Sequence, residues 1–69
     1  MEFKNSQIRE LIAEYIHSER DRKILERRLI DGITYERLAE EFEMSPRQMR
    51  TIVHKAEKTL FRNFQENFL

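Results

Sequence analysis

The sequence of 69 residues contains no cysteine. This absence excludes disulfides and thiolate metal sites, and it is typical of proteins of the reducing cytoplasm. No apolar run approaches the roughly 20 residues that a membrane-spanning helix requires, and residues 1–5 lack the apolar stretch of a signal peptide. We therefore expect a cytoplasmic protein with no membrane partner.

Glycine and proline are almost absent too, with one residue of each. A β-rich fold needs frequent turns, and these two residue types supply many of them. Glu, Arg and Leu are abundant instead, and these three residue types are strong helix formers, as are the less frequent Lys and Ala. The composition predicts an all-α fold. The length predicts a single domain, 1–69, which is too small to surround an enzyme cleft with walls.

The chain also lacks a net charge, because 13 basic residues balance 13 acidic ones. A DNA-binding domain is commonly basic, but the charges here are unevenly distributed. Residues 1–45 contain eight basic and eleven acidic side chains, a balance of −3, whereas residues 46–69 contain five basic and two acidic ones, a balance of +3. The C-terminal part therefore favours an anionic partner, although two ordinary solvated helix faces would explain the same asymmetry.

Two amphipathic helices are predicted in the first half of the chain. Helix one spans about 6–17, with Asn5 or Ser6 as its cap. Its apolar residues recur at helical spacing and are Ile8, Leu11, Ile12, Tyr15 and Ile16. Helix two starts at the cap Ser18 and runs to about Ile30, just before Gly32, where a left-handed residue is favoured. Its inward residues are Ile24, Leu25 and Leu29.

Two further helices follow a short connection. Thr34 is the expected cap of helix three, which spans about 35–42, and Ser45 with Pro46 is a strong start for helix four. Helix three is predicted to bury Leu38, Ala39, Phe42 and part of Tyr35. Helix four is predicted to bury Met49, Ile52, Val53, Ala56 and Leu60, and to continue through Phe61 and Phe64 towards Phe68 and Leu69. The architecture is then a four-helix domain.

Residues 34–58 have the pattern of a helix-turn-helix. Ala39 is small at the point where the second helix approaches the first, and the apolar residues that lock the two helices at a steep angle are Leu38, Phe42, Met44, Met49 and Ile52. This packing leaves the N-terminal half of the second helix protruding, free to enter a major groove. Glu43 takes the first turn position, where the backbone is commonly left-handed, at a strain of about 1 kcal/mol.

The exposed side of helix four, over about 46–58, is the predicted DNA-binding surface. Arg and Gln pair with guanine and adenine edges, and Thr contacts a hydrogen-bonding group or a thymine methyl. Base contacts are expected from Arg47, Arg50, Thr51 and His54, and phosphate contacts from Lys55, Lys58 and Arg62. Gln48 shares this surface, and Ser45 with the N–H groups at the helix start is placed to hold a phosphate. A merely solvated helix face is the alternative.

The stretch from about 20 to 62 resembles region four of bacterial sigma factors of the housekeeping class. The matching residues are Thr34-Tyr35-Glu36-Arg37-Leu38-Ala39-Glu40-Glu41-Phe42-Glu43-Met44-Ser45, then Arg50, Ile52, Lys55-Ala56 and Leu60, and upstream Arg22-Lys23-Ile24-Leu25-Glu26-Arg27-Arg28-Leu29. The resemblance implies a domain that recognises the promoter −35 element with helix four and contacts the flap of the RNA polymerase β subunit.

The chain departs from that family at the start of helix four. Pro46-Arg47 stands where the family typically has an Arg-Glu pair, and Thr51 replaces a Gln. There is also no segment for melting or binding the −10 element. We therefore expect something other than a complete sigma factor, similar to the short stand-alone sigma-like regulators common in Firmicute phages and mobile elements.

Two functions follow as hypotheses. The first is a small transcriptional regulator that binds double-stranded DNA sequence-specifically. A homodimer would double its contacts, and the apolar tail of Leu60, Phe61, Phe64, Phe68 and Leu69 would supply the interface unless it packs back on helix one. The second is a protein-interaction module that docks on RNA polymerase or a sigma-like partner with little DNA contact. Zero net charge and the acidic side chains of Glu36, Glu40 and Glu41 favour it.

An enzyme is not expected. His17 and His54 are the two histidines, they lie far apart in the sequence, and no cysteine or glycine-rich loop accompanies them. No metal, cofactor or small-molecule substrate is expected either.

Overall fold

The computed structural model describes residues 4–68, with side chains from Lys4 to Glu66. This part of the chain contains helices and no strand, so the predicted all-α fold with four helices is confirmed. The elements are α1 (Asn5–Tyr15), α2 (Glu19–Leu25), which continues as a π-helix over Glu26–Ile30, α3 (Tyr35–Phe42) and α4 (Pro46–Phe68). Leu69 and the side chain of Phe68, both assigned to the apolar tail, lie outside the described residues.

Three of the four helices begin at the predicted capping residues. A side-chain oxygen at the N-cap accepts a hydrogen bond from a backbone N–H in the first turn and satisfies one of its unpaired donors. Ser18 accepts from the Asp21 N–H at 3.3 Å in α2, and Thr34 accepts from the Arg37 N–H at 3.2 Å in α3. Ser45 begins α4 in the same way.

The start of α1 differs from the prediction. Asn5 and Ser6 lie inside the helix, so neither is its cap, and the N-cap is Lys4. The side-chain oxygen of Gln7 accepts a hydrogen bond from the Lys4 backbone N–H at 3.1 Å. The helix also ends at Tyr15 rather than at residue 17.

The end of α1 is closed by a side chain from the next helix. The Arg22 guanidinium donates hydrogen bonds to the backbone carbonyls of Ile16 and Ala13. The last carbonyls of a helix have no partner within the helix, so this contact satisfies two acceptors and ties α2 to α1.

The second half of the predicted helix two is helical but not α-helical. Over Glu26–Ile30 the backbone forms a π-helix, in which an N–H bonds to the carbonyl five residues back. The Asp31 N–H donates to the Glu26 carbonyl in this way, at 3.2 Å. A π-turn accommodates one more residue than an α-turn. Leu29, predicted to face inward, is consequently only half-buried.

Gly32 ends this helix with a left-handed backbone, as predicted. Its φ of +73° lets the Ile33 N–H reach back to the Arg27 carbonyl at 3.1 Å. This reversal directs the chain into the cap of α3.

The turn between α3 and α4 contains the second left-handed residue. Glu43 has φ 54° and ψ 47°, which confirms the expectation for a non-glycine residue in this position. The Met44 N–H donates to the Ala39 carbonyl at 2.9 Å and the Glu43 N–H to the Glu40 carbonyl at 3.4 Å, the two bonds of a Schellman motif. The backbone of the turn is therefore hydrogen-bonded to the end of α3.

One core joins all the helices. Its buried residues are Ile8, Leu11, Ile12, Ile16, Ile24, Leu25, Leu38, Ala39, Met49, Val53, Ala56, Leu60 and Phe64. Phe42 and Ile52, predicted to be core residues, are partly buried and pack against it. Leu60 and Phe64 belong to the same core as Ile8 of α1, so this part of the apolar tail packs back on helix one.

Candidate nucleic-acid interface

The start of α4 is a reciprocal capping box. Ser45 Oγ accepts from the Gln48 N–H at 3.1 Å, and Gln48 Oε1 accepts from the Ser45 N–H at 3.0 Å. Both residues were predicted to contact DNA. Because the Gln48 carbonyl oxygen is already bonded, its amide nitrogen is the group directed to a ligand in this conformation.

All eight predicted DNA-binding residues are exposed, which sequence periodicity anticipated. They are Ser45, Arg47, Gln48, Arg50, Thr51, His54, Lys55 and Lys58. The buried residues of α4 that alternate with them are Met49, Val53 and Ala56. A period of 3.6 residues places Arg47, Thr51, His54 and Lys58 along one stripe, with Arg50 and Lys55 on either side of it. We call these six residues, Arg47, Arg50, Thr51, His54, Lys55 and Lys58, the exposed face of α4.

The exposed face of α4 is electropositive. Among the residues that the structure describes, no carboxylate lies within salt-bridge distance of Arg47, Lys55 or Lys58. Arg50 Nη2 lies 3.7 Å from Glu36 Oε1, a loose and solvent-exposed contact. Such a pair contributes little to stability, so Arg50 retains most of its capacity to meet another anion.

Thr51 and Lys55 have environments that the sequence did not indicate. The Thr51 hydroxyl donates to the Arg47 carbonyl, one turn earlier, at 3.1 Å. Its methyl group is then the part of the side chain directed outward. Lys55 borders a shallow depression with His17 and Arg20 at the α1–α2 connection, so it lies on the opposite flank from Arg50.

Tyr35 brings together three cationic or polar side chains, one from the π-helix and two from α4. The Arg28 Cζ lies 4.3 Å and the Arg50 Cζ 5.4 Å from the centroid of the Tyr35 ring. The His54 ring meets Tyr35 edge-on, at 6.2 Å between centroids and an interplanar angle of 88°. We call these four residues the Tyr35 cluster.

The sequence pattern does not reveal the Tyr35 cluster, since it predicts Tyr35 only as a partly buried core residue and Arg28 only as part of the helix before the motif. The sequence signal that could reveal this cluster is the position of Tyr35 directly after the Thr34 cap, in the first turn of α3. A ring in the first turn of α3 is near the start of α4 only because the two helices cross there.

α3 is fixed to the π-helix by an ion pair. The Arg27 guanidinium donates to both Glu41 carboxylate oxygens, at 2.6 and 3.2 Å, and to Asp31 at 3.1 Å. The hydrogen bond from Arg27 lowers the pKa of Glu41 below its ordinary value of 4.5. The hydrogen bonds to Glu41 and then Asp31 raise the pKa of Arg27. A bidentate pair of this kind fixes orientation as well as distance.

The described residues contain neither a cluster of metal-ligating side chains nor a helix suited to a membrane. Between Lys4 and Glu66, no three His, Cys, Asp or Glu side chains converge as ligands for a metal ion. None of the described helices, the 23-residue α4 included, combines the length and apolar character that crossing a bilayer requires.

Comparison with protein families identifies the motif. The family model described as "Sigma-70, region 4" matches residues 18–60, from the cap of α2 to the middle of α4. The chain belongs to the sigma-70 region 4 family. No curated protein and no solved structure gives a significant match.

Membership of the sigma-70 region 4 family defines the general character of the site. Domains of this family are DNA-binding helix-turn-helix domains that also bind RNA polymerase, and the family is not one of enzymes. The matched residues contain the helix-turn-helix, the π-helix and the entire Tyr35 cluster. Residues 1–17, which include α1, and residues 61–69 lie outside them.

Proposed function

We propose that the chain, as one domain over 1–69, is a small transcriptional regulator that binds double-stranded DNA sequence-specifically. The N-terminal half of α4, over 46–58, enters the major groove. The observation that carries this proposal is the exposed face of α4, on which Arg47, Lys55 and Lys58 have no described carboxylate partner. Localised positive charge next to a protruding helix start supplies the phosphate attraction that a neutral chain otherwise lacks.

The residues divide into two roles by their place along α4. Arg47, Arg50, Thr51 and His54 lie in the first turns and are proposed to contact bases. Lys55 and Lys58 lie further along and on the flanks, where the phosphate backbone would pass. Ser45 and the N–H groups at the start of α4 supply a further phosphate contact, and Gln48 contributes through its amide nitrogen.

The first prediction compares Arg50→Ala with Lys58→Ala, using a duplex selected by the unmodified chain from a random pool and a scrambled duplex. Arg50→Ala should reduce the preference for the selected duplex by about five- to 150-fold, because a bidentate base contact is worth about 1–3 kcal/mol. Lys58→Ala should weaken both duplexes alike and reduce the slope of log K against log salt by about 0.9.

Gln65→Ala is the matched control, because Gln65 is exposed on the same helix but beyond the proposed interface. It should leave both quantities unchanged. Equal loss on both duplexes for Arg50→Ala and Lys58→Ala would contradict the division of roles, and absence of duplex binding even at low salt would contradict the proposed function.

A second candidate function is docking on RNA polymerase or a sigma-like partner. It is favoured by a largely apolar groove between α1, the π-helix and α4, which is lined by Ile8, Leu11, Leu29, Leu60 and Phe61 together with the charged Glu57 and Lys58. The Phe61 side chain is 52% exposed, an unusual value for so large an apolar residue. Retention of polymerase binding by an Arg47→Ala, Arg50→Ala double variant that no longer binds DNA would establish this second activity as separate, since neither residue lines the groove.

A further inference from the structure

Tyr35 stands at the point where α3, α4 and the π-helix meet. We infer that Tyr35 is a positioning residue that orients Arg50 and His54 on α4 for base contact before DNA binds. The inference rests on the proposed DNA binding and adds a residue outside α4 to the determinants of specificity.

Tyr35 contributes little to the core of the helix-turn-helix. Leu38, Met49 and Val53 are fully buried and lock α3 to α4, whereas Tyr35 is only partly buried at the edge of that core. Its ring has polar neighbours instead, with two guanidinium groups over it and an imidazole perpendicular to it. A partly buried ring in contact with three nitrogen-bearing side chains is suited to hold them in place.

Arg50 has two neighbours that restrict it. The Tyr35 ring attracts the guanidinium through its quadrupole at a centroid distance of 5.4 Å. Glu36 lies 3.7 Å from Arg50 Nη2, but that contact is exposed and screened by salt. The negatively charged Glu36 carboxylate competes with DNA for the Arg50 guanidinium. The Tyr35 ring is uncharged and does not compete in this way.

His54 lies one helical turn after Arg50, and both contact the same ring. The edge-on geometry at 88° defines the plane of the imidazole relative to Tyr35.

A long Arg side chain otherwise loses considerable rotamer freedom when it binds. A ring that removes part of this freedom in the free protein reduces the entropy lost in the complex, and it favours the bases that suit the resulting geometry.

Arg28 completes the arrangement from the π-helix. Its guanidinium lies 4.3 Å from the Tyr35 centroid, and its Nη1 donates to the Ile33 carbonyl at 2.9 Å. Because Arg28 is itself bonded to the backbone, it keeps the Tyr35 ring in one orientation. The ring is therefore held by the π-helix and in turn holds α4.

The first experiment tests the contact without DNA. In NMR spectra of the free chain, the δ protons of Arg50 should be shifted upfield by the Tyr35 ring current. Tyr35→Phe should retain this shift because the ring face is kept, and Tyr35→Leu should abolish it. A random-coil shift for Arg50 in the unmodified chain would overturn the inference whether or not the protein binds DNA.

The second experiment tests the consequence for specificity, which is the second prediction, again with the selected and scrambled duplexes. Tyr35→Leu should reduce the ratio of the two affinities by roughly two- to five-fold, the value of one exposed cation–π contact. Tyr35→Phe should restore the ratio. In an Arg50→Ala background, Tyr35→Leu should have little further effect, because the side chain through which it acts is gone.

Phe42→Leu is the matched control, since Phe42 is another partly buried aromatic residue of α3 that has no contact with Arg50. It should lower the thermal midpoint at least as much as Tyr35→Leu without changing the affinity ratio. Additive losses of specificity for Tyr35→Leu and Arg50→Ala, or an equal loss for Phe42→Leu, would overturn a positioning role. If no duplex is bound at all, the proposed function fails, while the ring-current result still decides whether Tyr35 orients Arg50.

Discussion

At the scale of single residues, backbone conformation decides where two of the helices end. Within residues 4–68, Gly32 and Glu43 are the residues with positive φ, and each precedes a capped helix start. Glycine adopts this conformation at no steric cost, whereas a side chain at such a position costs roughly 1–2 kcal/mol. Both turns therefore use a left-handed residue, but only the turn at Glu43 carries the steric cost of a side chain in that conformation.

The third prediction uses this pair of residues. Glu43→Gly should stabilise the chain by about 1 kcal/mol, since it relieves the left-handed strain, and the thermal midpoint should rise by roughly 4–8 °C. Gly32→Ala should lower it by a comparable amount. An added Cβ at Gly32 would meet no atom within 4 Å, so the loss would come from the backbone alone.

Glu43→Gln serves as the control for charge, because it removes the carboxylate and keeps the Cβ. Calorimetry should give a midpoint close to that of the unmodified chain. A gain for Glu43→Gln as large as that for Glu43→Gly would mean that the negative charge of Glu43, and not its φ, is unfavourable.

At the scale of elements, three arginine side chains of α2 and the π-helix hold the neighbouring helices in place. Arg27 clamps α3 through Glu41, Arg28 contacts Tyr35 at the start of α3, and Arg22 closes the end of α1. α2 and the π-helix therefore fix the position of α3, and with it that of α4, relative to α1.

The fourth prediction concerns pH and the pair of Arg27 and Glu41. Because the pKa of Glu41 is lower in the folded chain than its ordinary 4.5, the unfolded chain binds a proton more readily. The stability that Glu41 contributes is therefore present above pH 4.5 and is lost as the pH falls through the folded pKa. Glu41→Gln should lower the unfolding midpoint near neutral pH, and the difference from the unmodified chain should shrink below pH 4.5.

Asp31→Asn is the comparison, because it removes the other carboxylate that Arg27 contacts and leaves the contact to α3 intact. Urea titrations at several pH values would measure both variants. A pH-independent difference between Glu41→Gln and the unmodified chain would contradict the assigned cause. High salt should reduce the effect, since both side chains are near solvent.

At the scale of the whole molecule, α4 serves two purposes along its length. Its first turns carry the exposed face, and its later turns bury Leu60 and Phe64 in the core with Ile8 and Leu11 of α1. The position of the exposed face relative to the rest of the molecule thus depends on the packing of the C-terminal part of the same helix.

The fifth prediction compares the two Phe residues of that part. Phe64 is 4% exposed, and Phe64→Ala should cost about 3–5 kcal/mol, a large share of the stability of so small a domain. Phe61, at 52% exposed, should cost less than about 1 kcal/mol when changed to Ala. Urea unfolding followed by circular dichroism measures both.

The loss for Phe64→Ala should not depend on protein concentration, because the core is intramolecular. A midpoint that rises with concentration in the unmodified chain and not in Phe64→Ala would instead place Phe64 between two copies. Dimerisation of the domain remains a prediction that these measurements would test.

Local features of the sequence determined much of the fold. Ser18, Thr34 and Ser45 cap their helices through bonds that span three residues, and Gly32 and Glu43 are left-handed at the ends of patterns visible in the sequence. The exposed face of α4 follows from the same periodicity. These features depend on neighbours within one or two helical turns, so the amino-acid sequence is sufficient to predict them.

Other features were decided only when distant segments packed together. The π-helical end of helix two and the choice between Phe61 and Phe64 as a core residue depend on surfaces that other helices supply. The meeting of Arg28, Tyr35 and Arg50 depends on the crossing of α3 and α4. Periodicity shows which side of a helix is apolar, but only tertiary contacts select the partner of each side chain.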